Sequence, residues 1–293
     1  MNIVTGFISN INRRHDRDIT KYIDFGMELM AVEIPMTIFI EKTIFKEHIM
    51  HRLRDAPDPE TIFTYRICGG VMDGIQHNYS YQKCGHIIFV FFEVDDLFLW
   101  SYRAMAYKFQ LNTGNPSKDT LEYMMVQCQK TEWMAIAAQM SSRNDSSRND
   151  SSRNYLAKEY VWIDFGGFHM FHGKIDVFQT ELYMLRSRIE RRLKLKGNSS
   201  RICFARCWDP NMVYYGDIYR DVNWLFAGSV FGGSANCLNE FAMKMREKCL
   251  QILREKNTLM WEINIWALLY REAERIFLLY PSDHSEIILR GYI

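Results

Sequence analysis

The 293-residue chain carries almost no net charge, +1 from 36 basic and 35 acidic side chains. A general electrostatic hold on nucleic acid is therefore not expected, although local basic pockets for small phosphates are allowed. Long hydrophobic runs are missing too. The longest, residues 87–92, is far short of the roughly 20 apolar residues that span a bilayer as a helix. No basic leader with an apolar stretch behind it is visible, so a cytoplasmic location and no transmembrane segment are expected. The seven cysteines are odd in number and lack scaffold-like spacing. In a cytosol-like compartment they are expected as reduced thiols, and sequons such as Asn198-Ser199-Ser200 would stay unmodified. Several chemical signatures are absent as well: no G-x-S-x-G, no phosphate-binding P-loop and no G-x-G-x-x-G. Cys203-x-x-x-Cys207, Cys84-x-His86 and His169-x-x-His172 each lack the second half that a zinc site requires.

What is present is an ordinary globular composition, 48% hydrophobic and 24% charged, in a length that suits one large α/β domain. Residues 2–8, 36–40 and 61–67 read as strands, and residues 18–31 and 45–53 between them read as helices. This β-α-β-α-β alternation predicts an α/β fold, with a Rossmann-like, mostly parallel sheet flanked by helices. Residues 68–96 show no clear pattern. Helices are expected over 97–111, 121–140, 175–195, 234–255 and 261–273, and strands over 160–164, 201–207, 224–231 and 275–280. Residues 141–154 repeat SSRND-SSRND-SSRN. So polar a segment cannot bury apolar area, and it is expected as a flexible surface loop.

The most informative segment is Tyr160-Val161-Trp162-Ile163-Asp164-Phe165-Gly166-Gly167. An apolar strand ends on an aspartate followed by two glycines. Ligands of open α/β sheets bind beyond the carboxyl ends of strands, and a carboxylate there can hold a divalent cation against a diphosphate leaving group. An aspartate that merely starts a turn is the competing reading. Asp164-Phe165-Gly166 also spells a protein-kinase motif, but His51-Arg52-Leu53-Arg54-Asp55, the nearest imitation of a catalytic loop, is wrongly placed. Gly228 and the Gly232-Gly233-Ser234 turn before a helix can seat a sugar or phosphate against the backbone, or serve as plain turn chemistry. Glu262 stands in the first turn of a helix, either facing an acceptor or complementing the helix dipole. His284 stands near the C-terminus as a candidate late metal ligand. Arg13, Arg14, Arg52 and Lys108 are candidates for phosphate contact, with solvated surface as the alternative for each.

In order and spacing, these pieces resemble the bacterial HtrL/YibB family of WlaTC/HtrL glycosyltransferase-like proteins. The resemblance rests on Ile3-Val4-Thr5-Gly6-Phe7, Tyr22-Ile23-Asp24-Phe25, Met36-Thr37-Ile38-Phe39-Ile40, Arg52, Thr61-Ile62-Phe63, Tyr107-Lys108-Phe109 and Lys130-Thr131-Glu132-Trp133. It continues through Tyr160–Gly166, Phe226-Ala227-Gly228, Phe231-Gly232-Gly233 and the helix after Trp261-Glu262. It implies a single GT-A-like domain, with residues 1–166 as the nucleotide-sugar half and 167–293 as the acceptor half. It further implies a glycosyltransferase that moves a hexose or pentose from a UDP- or GDP-sugar to a hydroxyl of a glycan acceptor, assisted by Mn²⁺ or Mg²⁺. The implied donor-binding residues are Thr5, Arg13, Arg52, Lys108, Trp162, Gly228, Gly232 and Gly233. Asp164 is the implied metal ligand, and Glu262 is the carboxylate that would take the acceptor proton if configuration inverts. Gly166 stands where a full GT-A metal motif has its second aspartate, so His284 or Asp283 would have to supply the missing ligand. A homodimer is compatible with this reading. The alternatives are a nucleotide-sugar hydrolase on a similar fold and a non-catalytic nucleotide- or glycan-binding protein derived from a transferase.

Overall fold

A computed structural model describes residues 1–9, 18–111, 116, 118–146, 159–196 and 199–292, with the backbone alone for 142–146. Nine strands form one sheet: β1 (Asn2–Phe7), β2 (Met36–Ile40), β3 (Thr61–Arg66), β4 (Gln76–Cys84), β5 (Ile87–Phe91), β6 (Glu159–Ile163), β7 (Ile202–Arg206), β8 (Phe226–Ser234) and β9 (Phe277–Pro281). Their order is β3-β4-β5-β2-β1-β6-β8-β7-β9. The central strands β5, β2, β1 and β6 run parallel. Their sequences, such as IIFVF and MTIFI, are largely apolar because both faces are covered.

The α/β class is as the alternation predicts, but the sheet is mixed. Pairs β3–β4, β4–β5, β6–β8 and β7–β8 are antiparallel, whereas β1–β2, β1–β6, β2–β5 and β7–β9 are parallel. The strand expected at 61–67 exists, but it belongs to an edge hairpin. The third parallel strand is β5, within the stretch that showed no clear pattern. The Gly85-His86 link between β4 and β5 explains why: Gly85 has φ 56°, the conformation a two-residue hairpin turn needs. That turn sends the chain straight back instead of into a crossover helix.

Among the described residues, six α-helices cover the two faces: α1 (Ile19–Met30), the short α2 (Lys42–Ile44), α3 (Leu121–Ser146), α4 (Ile175–Lys196), α5 (Ala235–Lys256) and α6 (Glu262–Ala273). Asp18 caps α1 by accepting from the Lys21 amide at 2.8 Å. A wider turn, Phe45–Ile49, and a tighter one, Met50–Arg52, extend α2. One hydrophobic core packs α3, α5 and α6 against Val4, Phe39, Trp162 and Phe231. The other packs α1 and α4 against Ile3, Ile38, Ile163 and Val230. The alternation of neighbours such as Trp162 and Ile163 between the two cores follows from the strand period of two.

Two expectations need correction. Residues 97–111 do not form an α-helix; apart from a 3₁₀-helix at Trp100–Met105 they are irregular. Apolar residues there pack individually on the core, which imitates helical periodicity. The helix expected at 121–140 runs on to Ser146, so the first six residues of the 141–154 repeat are helical. The loop expected for the remainder lies outside the described residues. Among the described residues, no helix is long and apolar enough to cross a membrane.

Candidate functional site

The strand order reverses between β1 and β6: from β1 the sheet grows through β2 and β5 on one side and through β6 and β8 on the other. At such a reversal the connections leave in opposite directions and open a crevice beyond the carboxyl ends. Asp164 stands at this edge, directly after β6, and its amide donates to Ser229 O at 3.1 Å. Beyond β1, the Ser9 amide and hydroxyl donate to Glu41 Oε2 at 2.6 and 2.7 Å, with Glu41 directly after β2.

Beneath Asp164 lies a buried cation. Lys130 is on α3, where every residue from 128 to 138 is buried, an unusual setting for a lysine unless it is paired. Its ammonium donates to Gly228 O at 3.0 Å and to Glu262 Oε1 at 3.1 Å, and lies 3.1 Å from Asp164 Oδ1. Three donors therefore meet three acceptors. The Trp162 indole lies 5.7 Å from the ammonium and donates its Nε1 hydrogen to Asp164 Oδ1 at 2.7 Å. Burial alone would lower the Lys130 pKa, but the carboxyl groups of Asp164 and Glu262 outweigh it and raise it above the usual lysine value.

Solvent reaches only one side of this cluster. The Asp164 side chain is 36% exposed, whereas those of Lys130 and Glu262 are 4% and 3% exposed. Among the described residues, Glu262 Oε2 is buried without a hydrogen-bond partner. Gly228 makes the close approach possible, since a Cβ there would collide with Glu262 Oε1. His284 is close enough to feel the charges of Asp164 and Lys130. Desolvation, the largest influence, holds its imidazole below the usual range; because the residue is surface-exposed, that desolvation is partial. Its ring stands edge-on to Trp224 at 5.2 Å, and Trp224 is itself 37% exposed.

The structure thus gathers Asp164, Glu262, Gly228, Trp162 and His284 in one place. Trp162 is a core residue, 1% exposed and stacked on Trp133 at 5.8 Å, so its contribution is the bond to Asp164 and not a face offered to a ligand. The other expected positions fall elsewhere. Gly232 and Gly233 pair with Val161 and Tyr160, toward the opposite end of β6. That is roughly 10–13 Å from Asp164 at about 3.3 Å per residue, so they do not line its crevice. Thr5 is fully buried in the middle of β1. Arg52 pairs with Asp24 at 2.9 Å. Lys108 is exposed, beside Tyr107 and bonded through its amide to Asn257 O at 2.9 Å. Arg13 lies outside the described residues.

Lys130 is the residue that sequence reasoning missed as a site member. Its signal was four consecutive polar residues, Gln129 to Glu132, directly before the apolar run Trp133 to Ala138. Compared with known proteins, the chain matches no family profile, no curated protein and no solved structure.

Proposed function

We propose that this protein is a glycosyltransferase that moves a sugar from a nucleotide diphospho-sugar to a hydroxyl of a glycan acceptor, at the crevice between β1 and β6. The observation that carries the reading is Asp164: a carboxyl group open to solvent at the topological reversal, fixed on one oxygen by Trp162 and Lys130. Such anchoring leaves the other oxygen for substrate and fixes its direction, as proton transfer between oxygens requires. The finer fold assignment, a GT-A-like domain, is part of the same proposal. Its support is the parallel block β5-β2-β1-β6 with the reversal at β1.

Exposure reassigns the carboxyl roles. Glu262 is too buried to meet an acceptor, so Asp164 takes the hydroxyl proton as the acceptor oxygen attacks the anomeric carbon and the nucleoside diphosphate departs. Glu262 acts through Lys130 as a positioning residue. His284, which feels the Asp164 charge, and its ring neighbour Trp224 offer an aromatic edge on which the apolar face of a sugar ring can pack.

The resemblance implies Mn²⁺ or Mg²⁺, and the donor set does not fit a protein-held ion. Asp164 Oδ1 and Glu262 Oε1 are bridged by the Lys130 ammonium. Among the described residues, no group of three or more His, Cys, Asp or Glu side chains is arranged to hold a metal.

The test is product analysis with UDP- and GDP-sugars, with and without oligosaccharide acceptors, on wild type and Asp164→Asn. Sugar transfer that requires an acceptor and is lost in Asp164→Asn is the expected result. Free sugar released equally without an acceptor would replace the reading with a hydrolase. Binding without turnover would replace it with a non-catalytic binding protein.

A further inference from the structure

We infer that Lys130 is the resident cation of this site, occupying the position between Asp164 and Glu262 that a divalent ion would otherwise take, so that the site works without one. The inference rests on the crevice reading for its importance, but its geometry stands alone. An ammonium that meets one oxygen from each of two carboxyl groups and a backbone carbonyl, at 3.0 to 3.1 Å, has the surroundings of a small cation held by oxygen ligands. The carbonyl comes from Gly228, which packs directly against Glu262. The carboxyl groups come from the carboxyl end of β6 and the first turn of α6. Lys130 comes from the middle of α3, the helix that crosses the core between them.

A lysine tethered to a buried helix cannot leave, as an exchangeable ion can. It also cannot be displaced by a second cation without exposing an unpaired ammonium in the core. Two consequences follow. The wild-type pair should not bind Mn²⁺. Removing the amine should free Asp164 Oδ1, Glu262 Oε1 and the Gly228 carbonyl, and convert the pocket into a Mn²⁺ site. Glu262 Oε2, buried and without a partner among the described residues, would be an additional oxygen for such an ion.

The experiment is Mn²⁺ titration followed by the electron paramagnetic resonance signal of free aqueous Mn²⁺, on wild type, Asp164→Asn, Lys130→Ala and Lys130→Ala/Asp164→Asn. Wild type is expected to remove no more Mn²⁺ from solution than Asp164→Asn. Lys130→Ala is expected to bind one equivalent at least about tenfold more tightly, and the double variant to lose it. Wild-type binding that Asp164→Asn abolishes would overturn the inference, and this arm decides it even if Lys130→Ala fails to fold. Folded Lys130→Ala that binds no more Mn²⁺ than wild type would also count against it. Thermal shifts with UDP- and GDP-sugars, run in EDTA and in Mn²⁺, keep the two proposals apart. A shift that EDTA abolishes contradicts the resident cation and keeps the donor site. No shift under either condition contradicts the donor site, while the metal titration still decides on Lys130.

Discussion

Lys130 and Glu132 are two residues apart on α3, both buried, and they lie in opposite kinds of polar cluster. Glu132 accepts from the Tyr65 hydroxyl and from Arg246 Nη1, the latter at 2.5 Å, while Arg246 Nη2 reaches Cys68 O at 3.2 Å. Glu132 and Arg246 are 2% and 3% exposed, so one carboxyl group meets one guanidinium in a closed arrangement. Burial, followed by the nearby Glu132 charge, pushes the Tyr65 hydroxyl well above its usual range. The Lys130 cluster has two carboxyl groups for one ammonium, an oxygen on Glu262 without a partner among the described residues, and an opening to solvent through Asp164. Closure and matched charge mark a cluster that fixes how α3, α5 and β3 pack. Imbalance and an open side mark one built to meet something else. A third cluster obeys the first rule: Glu159 at the start of β6 meets Arg192 at 2.5 Å and Tyr292 at 2.9 Å, all at the end of β6 remote from Asp164.

The comparison breaks most visibly in stability. Arg246→Ala leaves Glu132 buried without its charge partner and is expected to cost about 3–5 kcal/mol in urea unfolding. A loss below about 1 kcal/mol would remove the structural role of the closed cluster. Asp164→Asn should do the reverse. Its side chain is more than a third exposed and Lys130 keeps Glu262, so stability should fall by about 1 kcal/mol or less, while turnover of the proposed transfer falls at least about 100-fold. Gly228→Ala is expected to cost about 1–3 kcal/mol by overpacking against Glu262, measured as a lower unfolding midpoint with unchanged denaturant slope.

A pH series sharpens the contrast further. The Lys130 pKa is raised on folding, so its stabilising contribution is fully present below the unfolded value of 10.5 and is lost as pH rises through the higher folded value. Tyr65 and Tyr292, raised first of all by burial, add losses in the same alkaline direction. The difference between wild type and Lys130→Met should therefore be constant up to about pH 10 and shrink above it. A difference that grows with alkalinity would contradict the assignment. Smallest in stability, Trp224→Ala should change unfolding by no more than about 0.5 kcal/mol and raise the acceptor KM with donor KM unchanged.

Much of this was legible in the sequence, and the remainder was hidden for identifiable reasons. Strand β6 with Asp164 at its end could be read locally, because an apolar run that stops on a carboxyl group places that group at a sheet edge. The parallel centre was legible in part. β1 and β2 follow the β-α pattern, but the third parallel strand lay behind a hairpin that periodicity does not reveal. Lys130 was hidden because its partners Asp164 and Glu262 lie far along the chain, and a short polar run inside a helix gives no sign of which partner each of its residues meets. Glu262 was found but its burial was not, since a first-turn glutamate is usually exposed and this one is covered by β8 and α3. Gly232 and Gly233 were misplaced because the run from Gly228 to Ser234 reads as one turn-rich motif, whereas it is a single extended strand whose two ends lie at opposite edges of the sheet.

The most direct test of the central claim, that the open cluster at Asp164 is the transfer site, is the thermal shift of wild type and Asp164→Asn with UDP, GDP, CMP and their common sugars, followed by transfer from any donor that gives a shift. A ligand that binds only the folded protein stabilises it by about 2.7 kcal/mol at a hundredfold excess over its Kd. A shift is predicted for a nucleotide diphospho-sugar in both proteins, with acceptor-dependent transfer from that donor lost only in Asp164→Asn. No shift with any nucleotide, or transfer that survives in Asp164→Asn, would contradict it.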